Sequence, residues 1–245
     1  MTSVRPLRDK VALVIGGSRG IGRAVTDRLV ADGAAVAFTY LQDQVAARAV
    51  RERLTRAGGT ALSYQADLGN TASIRELFDA TQRALGDLDI VVINAGVAVL
   101  KPLVDVTEDD FDRVFAVNAK GVFFAMQEAA RRVRDGGRIL VTSTGGTRML
   151  MTQLSAYLGA KAAVEQFVRV LARELGPRRV TVNAVSPGFT DTDMLPARDR
   201  EVAASASPLG RVGSPEDVAE TFAFLAGDGG RWTTGQNVPA GGGVF

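Results

Sequence analysis

A doubly wound α/β fold in one domain, with a seven-stranded parallel sheet flanked by helices, is predicted by three observations on this 245-residue sequence. Seven short runs rich in β-branched and apolar residues alternate with helical patterns, the signature of βαβ units. The first run ends in a glycine-rich turn that opens directly into a helix. No linker-like stretch interrupts the chain, and its length suits a single large α/β core.

Each element has its own local reason. Lys10-Val-Ala-Leu-Val-Ile15 is continuously apolar rather than alternating, so it reads as a strand buried on both faces. Gly16-Gly17-Ser18-Arg19-Gly20-Ile21-Gly22 follows, and Arg23 to Ala31 carries helical periodicity. Ala35 to Tyr40 reads as the second strand and Asp43 to Ala57 as its helix, with Asp43 as the N-cap. Strands three to six are expected at Ala61 to Gln65, Ile90 to Ile93, Arg138 to Thr142 and Val180 to Val185, and the last at Gln236 to Pro239. Asp193 to Pro208 has weak periodicity and many small residues, so a lid is expected around residues 189–210. Right-handed crossovers then place the ligand beyond the carboxyl ends of the strands.

Composition excludes several chemistries. Histidine and cysteine are both absent, which removes Ser-His-Asp and Cys-His nucleophilic sites, His/Cys zinc sites and disulfides. Acid–base work falls to Tyr, Lys, Asp or Glu, and no metal is expected. A formal charge of +2 is too small to imply nucleic-acid binding, and Arg131-Arg132-x-Arg134 reads as a solvated helix end. Without a signal-peptide pattern or an apolar run of spanning length, a soluble cytoplasmic protein without a membrane partner is expected.

Two motifs carry chemistry. A strand, the Gly16–Gly22 turn and a helix in succession form a phosphate cradle, because glycines let the backbone approach and the helix N-terminus offers free N–H groups. The spacing Gly-x-x-x-Gly-x-Gly is not a P-loop, and a turn with glycines for packing alone is the other reading. Tyr157 and Lys161 stand at i and i+4 of an expected helix and share a face. Unit charges ~4 Å apart interact by roughly 4 kcal/mol at an effective dielectric of ~20 but by only ~1 kcal/mol in water. In a partly dry site the ammonium is thus expected to lower the phenol pKa. An ordinary amphipathic pair is the alternative.

With both motifs in view, the chain resembles the classical short-chain dehydrogenases/reductases over essentially its full length. Asn94-Ala95-Gly96, Val117-Asn118, Pro187-Gly188 with Thr192, Pro208-Leu209-Gly210-Arg211, Thr234-Gly235-Gln236 and Gly242-Gly243 carry the resemblance beside the two motifs. Within that family it looks most like 3-oxoacyl-carrier-protein reductases and polyhydroxynaphthalene reductases. The resemblance implies a Rossmann fold, a nicotinamide cofactor and a small-molecule carbonyl or alcohol substrate. It also implies a homotetramer built on two long helices, around Phe111 to Arg132 and Ala156 to Leu175.

Cofactor choice is read at the end of the second strand. Tyr40 stands where an NAD-selective acid is expected, and Arg19 inside the glycine turn can reach a 2′-phosphate, so NADP(H) is favoured. A solvent-exposed arginine is the alternative for Arg19. By resemblance, Gly16, Ser18, Gly20, Ile21 and Gly22 would hold the pyrophosphate side. Asp67 and Leu68 would meet the adenine, and Asn94, Ala95 and Gly96 the ribose side, where a purely structural turn is equally compatible. Pro187, Gly188, Thr190 and Thr192 would hold the carboxamide.

The resemblance also implies the catalytic set. Tyr157 is the general acid, and Lys161 lowers its pKa and bonds the ribose hydroxyls. Asn118 would sit at a helical distortion holding a relay water, or be an ordinary buried Asn. The hydroxyl that orients the carbonyl falls at Thr144, where serine is usual, with Ser143 left open because neighbouring strand side chains face opposite ways. Ile15 replaces a threonine that usually braces the turn. Met149, Leu150, Met151, Leu154, Met194 and Leu195 would wall the substrate pocket or fill core, and Arg148 would meet an anionic group or solvent. The reading is an NADPH-dependent carbonyl reductase, with an NAD-dependent alcohol dehydrogenase or a non-catalytic NADP-binding sensor as alternatives.

Overall fold

A computed structural model describes residues 5–245. Seven strands form one sheet: β1 (Val11–Ile15), β2 (Ala35–Tyr40), β3 (Ala61–Gln65), β4 (Leu88–Ile93), β5 (Val133–Thr142), β6 (Thr181–Pro187) and β7 (Asn237–Ala240). Their order is β3-β2-β1-β4-β5-β6-β7, and every pairing is parallel. The chain reverses its direction of winding between β1 and β4. That switch point opens a crevice at the carboxyl ends of the two strands.

Continuous apolarity in the strands is explained by helices on both faces. Successive side chains of a strand point to opposite sides. Leu13 and Ile15 therefore enter one core layer with Phe78, Val91, Met126 and Val141, while Ala12 and Val14 enter the other with Val25, Phe38, Leu140 and Phe222. The helices are α1 (Gly20–Ala31), α2 (Gln44–Arg56), α3 (Thr71–Leu85), α4 (Glu108–Phe115), α5 (Val122–Arg132), α6 (Ser155–Leu175), α7 (Arg200–Ala206) and α8 (Pro215–Ala226). Asp43 caps α2 as expected, accepting from Ala46 N.

Three expectations need correction. The single helix over Phe111 to Arg132 is two helices joined by a π-helical stretch, Ala116–Gly121. Strand β5 begins at Val133, five residues before Arg138, because its register with β4 is interrupted between Leu88 and Ile90. The region read as aperiodic holds a helix, α7, whose Ala203 is buried. Seven residues give too few turns for periodicity to show.

Candidate active site

The glycine turn has the geometry of an anion cradle. Gly16 adopts φ +83°, and a Cβ there would lie 2.8 Å from Ala95 Cα. A Cβ at Gly22 would collide with the Gly16 carbonyl oxygen. Helix α1 starts behind Arg19 without a side-chain cap and with no acid in its first turn, whereas the side chains of Asp43, Asn70, Thr107 and Ser214 cap α2, α3, α4 and α8. Its leading N–H groups and positive dipole end are left for an anionic ligand. Ile21 packs against the core, and Ser18 and Gly20 beside it are half-buried. The threonine lost at Ile15 is replaced from the neighbouring strand, since Gly16 N donates to Thr39 Oγ1 (2.8 Å) and Gly17 N to the Thr39 carbonyl (3.0 Å).

Around this cradle the other expected contacts gather at the same sheet edge. Tyr40 ends β2, half-buried, with Gln65 of β3 beside it in register. Asp67 follows β3 and accepts from Gly69 N (2.8 Å), and Leu68 is buried. Asn94 stitches the turn to the sheet: its Nδ2 donates to Gly16 O (3.1 Å) and its Oδ1 accepts from Thr142 Oγ1 (2.9 Å). Both Asn94 N and Ala95 N donate to Ile15 O. Gly96 must lack a side chain because a Cβ would lie 2.8 Å from Asn118 Oδ1.

On the other flank, Pro187 ends β6, Gly188 N donates to Ala240 O (3.2 Å), and the Thr190 hydroxyl donates to Gly188 O (3.1 Å). Thr192 sits over the glycine turn, its methyl 3.3 Å from where a Gly20 Cβ would be. Arg19 Nη1 pairs with Asp193 Oδ2 at 3.0 Å, both side chains mostly exposed.

Tyr157, Lys161 and Thr144 converge on one spot. Tyr157 and Lys161 lie one turn apart on the buried face of α6, with the Lys161 Nζ 5.8 Å from the centre of the Tyr157 ring. Nζ also donates to the Thr142 carbonyl at 2.7 Å. The Thr144 hydroxyl lies close enough to the phenol to favour its ionised form. Ser143 faces the other way, its Oγ donating to Glu165 at 2.8 Å. Strand alternation thus turns the Thr144 hydroxyl toward Tyr157 and the Ser143 hydroxyl toward Glu165.

Asn118 explains the break between α4 and α5. A π-helical stretch frees a backbone carbonyl, and Asn118 Nδ2 satisfies the Val114 carbonyl (3.0 Å) while also donating to Val97 O (2.7 Å). Its Oδ1 accepts from Val97 N (3.1 Å). This fully buried amide ties the segment after β4 to the distorted helix beneath Gly96.

The electrostatics overturn one expectation. Burial pushes the Tyr157 phenol up from 10 to about 12, opposed only by the Thr144 hydroxyl, and burial pushes the Lys161 ammonium down from 10.5 to about 8. The ammonium does not lower the phenol pKa here, because it points to the Thr142 carbonyl and desolvation outweighs it. Tyr157 therefore keeps its proton at neutral pH.

The proposed pocket wall is only partly assembled. Leu154 packs with Tyr157, and Met151 Sδ lies 3.2 Å from where a Gly146 Cβ would be. Leu150 is fully exposed, and Met194 is exposed. Arg148 donates to the Asn237 carbonyl (3.1 Å) and meets no anion. Sequence reading missed Thr39, Thr142 and Glu165; the last was legible at i+8 from Tyr157 on the same helix face.

An uncapped glycine cradle at the switch point of a doubly wound sheet, flanked by a phenol, an ammonium and a hydroxyl, defines a nucleotide-dependent oxidoreductase. A family model described as enoyl-(acyl carrier protein) reductase matches residues 15–245. Versicolorin reductase 1 of Aspergillus parasiticus is 41% identical over 261 residues, covering 100% of both chains. A short-chain dehydrogenase of Burkholderia cenocepacia, solved in complex with NADP, is 42% identical, with TM-score 0.94 over 98% of this chain and 99% of its own. The angucycline C-6 ketoreductase LanV, solved with NADP, is 40% identical, with TM-score 0.92 over 98% and 96%. The chain belongs to the short-chain dehydrogenase/reductase family.

Proposed function

We propose that this protein is an NADPH-dependent reductase that delivers hydride to a ketone or aldehyde carbonyl, with Tyr157 as the general acid. The observation that carries this reading is that Tyr157 and Lys161 share the buried face of α6, one turn apart, with the Thr144 hydroxyl in hydrogen-bonding reach of the phenol. When bound, the dinucleotide supplies the hydride to the carbonyl carbon. The Tyr157 proton passes to the carbonyl oxygen, leaving an alcohol and a phenolate that is reprotonated from solvent. Thr144 orients the oxygen, and Lys161 holds positive charge beside it. Asn118 acts through Val97 and Gly96 by fixing the floor of the site. Burial favours the neutral phenol, so the acid needed for reduction is the form already populated. Incubating the protein with a panel of carbonyl compounds, versicolorin- and angucycline-type ketones first, tests this through loss of NADPH absorbance.

NADPH is preferred over NADH through Arg19 and the absence of an acid at Tyr40. The residues fit the group: α1 is uncapped, the glycine turn admits no Cβ at Gly16 or Gly22, and an exposed guanidinium stands at its rim. Arg19→Ala is expected to weaken NADPH affinity by roughly 10- to 100-fold, the worth of a charge-assisted contact, and to leave NADH affinity within about twofold. Isothermal titration with both cofactors measures this, and an equal loss for both would remove Arg19 from the selectivity.

In the same reading, residues 189–210 form the lid of a single domain, and the enzyme works as a cytoplasmic homotetramer. Exposed apolar side chains on α4, α5 and α6, namely Phe111, Phe123 and Val170, support helix-to-helix association. Among the described residues no helix is long and apolar enough to cross a membrane, and no cluster of metal-binding side chains occurs. Sedimentation equilibrium is expected to give four chains per particle, and Phe123→Glu to shift it toward smaller species.

A further inference from the structure

We propose that Glu165 is a positioning residue that sets the angle of Thr144 toward the substrate carbonyl, an inference that rests on the reductase reading above. One carboxylate oxygen, Glu165 Oε1, accepts from Ser143 Oγ at 2.8 Å and from Thr147 Oγ1 at 2.7 Å. These residues bracket Thr144 in the chain, one before it and three after it. The Thr147 hydroxyl also lies 3.0 Å from the Thr144 carbonyl. A hydroxyl has one proton, and the shorter, charge-assisted contact to the carboxylate takes it.

The clamp works against a rigid background. Ser143 N donates to Val185 O at 2.8 Å, so the strand side of the loop is held by the sheet. Beyond it the chain turns through Gly145 and Gly146, where Gly146 N donates to Thr144 Oγ1 at 3.2 Å and Thr147 Oγ1 reaches back to the Thr144 carbonyl. Glu165 stands two turns after Tyr157 and one turn after Lys161, on the same face of α6. The helix that carries the acid therefore also grips the loop that carries the orienting hydroxyl. Tyr157 and Thr144 keep a fixed separation without touching the same partner.

The role of Ser143 follows from this arrangement. It faces away from the substrate and serves as the clamp's strand-side donor. Thr147 is the loop-side donor.

Misplacing an orienting group by about 1 Å can cost up to 10²-fold in rate. Glu165→Ala is expected to lower kcat on the order of 10-fold or more, with NADPH dissociation constant unchanged, because the hydrogen bonds of the clamp run among Ser143, Thr144, Thr147 and Glu165 and not to the Gly16–Gly22 cradle. Glu165→Gln keeps an acceptor oxygen and is expected to recover most of the loss. In a Thr144→Ala background, Glu165→Ala is expected to add nothing further, since its effect passes through Thr144. Should Glu165→Ala fail to fold, Ser143→Ala with Thr147→Val deletes the same clamp from the loop side and is expected to give the same loss.

Wild-type turnover in the clamp-deleted proteins would overturn the proposal. So would the same fractional loss in the Thr144→Ala background, or a glutamine variant no better than alanine. A wild-type protein that reduced no carbonyl with NADPH would instead sink the reductase reading itself.

Discussion

Tyr157→Phe is expected to lower carbonyl reduction by at least 10²- to 10⁴-fold, the usual contribution of a positioned general acid, while NADPH affinity stays within a few-fold. The substitution removes one oxygen and leaves the buried ring, which packs with Val114, Ala156 and Ala160, so the fold is not disturbed. No other titratable group with a proton to give is found at this spot except Lys161. Its ammonium is committed to the Thr142 carbonyl at 2.7 Å. Steady-state kinetics and cofactor titration on the same preparation check both halves, and unchanged turnover would refute the assignment of Tyr157.

Lys161→Met is expected to separate activity from stability. Turnover falls on the order of 10²-fold or more, as it does when a preorganised charge is removed from a dry site. Stability moves the other way. The ammonium is held down from 10.5 to about 8 by burial, a cost of roughly 3 kcal/mol at neutral pH. Losing the hydrogen bond to Thr142 forfeits only ~1 kcal/mol.

The sign follows from proton counting. Between pH 8 and 10.5 the unfolded chain holds a proton on Lys161 that the folded chain has released, so the wild-type gains stability as pH rises through that window. The variant is therefore expected to melt several degrees above wild type at pH 7, with the difference shrinking toward pH 10.5. Tyr157 acts in the opposite sense, since its raised pKa costs stability as pH climbs from 10 through 12. Thermal melts from pH 7 to 10.5 test this, and a variant less stable than wild type at pH 7 would contradict the burial argument.

Much of this molecule was legible in the sequence because local pattern and global fold agree. Strands β1 and β2 fall where their β-branched and apolar runs are, and Asp43 caps α2 as its position suggested. The Asn118 distortion was readable because a short amide in a helix competes for backbone partners, and here it supplies the donor that the π-helical stretch lacks. What stayed hidden depends on contacts between distant segments. Thr39 replaces the missing hydroxyl at Ile15 across a parallel strand pair, which no spacing rule reveals.

The Thr144 and Ser143 ambiguity had the same root. Alternation sends the two hydroxyls to opposite sides, and the position of Glu165 across the loop shows where Ser143 points. Pairwise attraction between the two groups is smaller than the cost of burying them, which is why burial sets the direction of both shifts.

A crystal structure with NADP and a bound ketone or alcohol tests the central claim most directly. The account predicts the dinucleotide pyrophosphate on the Gly16–Gly22 turn, and the substrate oxygen within about 3 Å of both Tyr157 Oη and Thr144 Oγ1. A substrate oxygen out of reach of Tyr157, or a dinucleotide lodged elsewhere than the glycine turn, would contradict it.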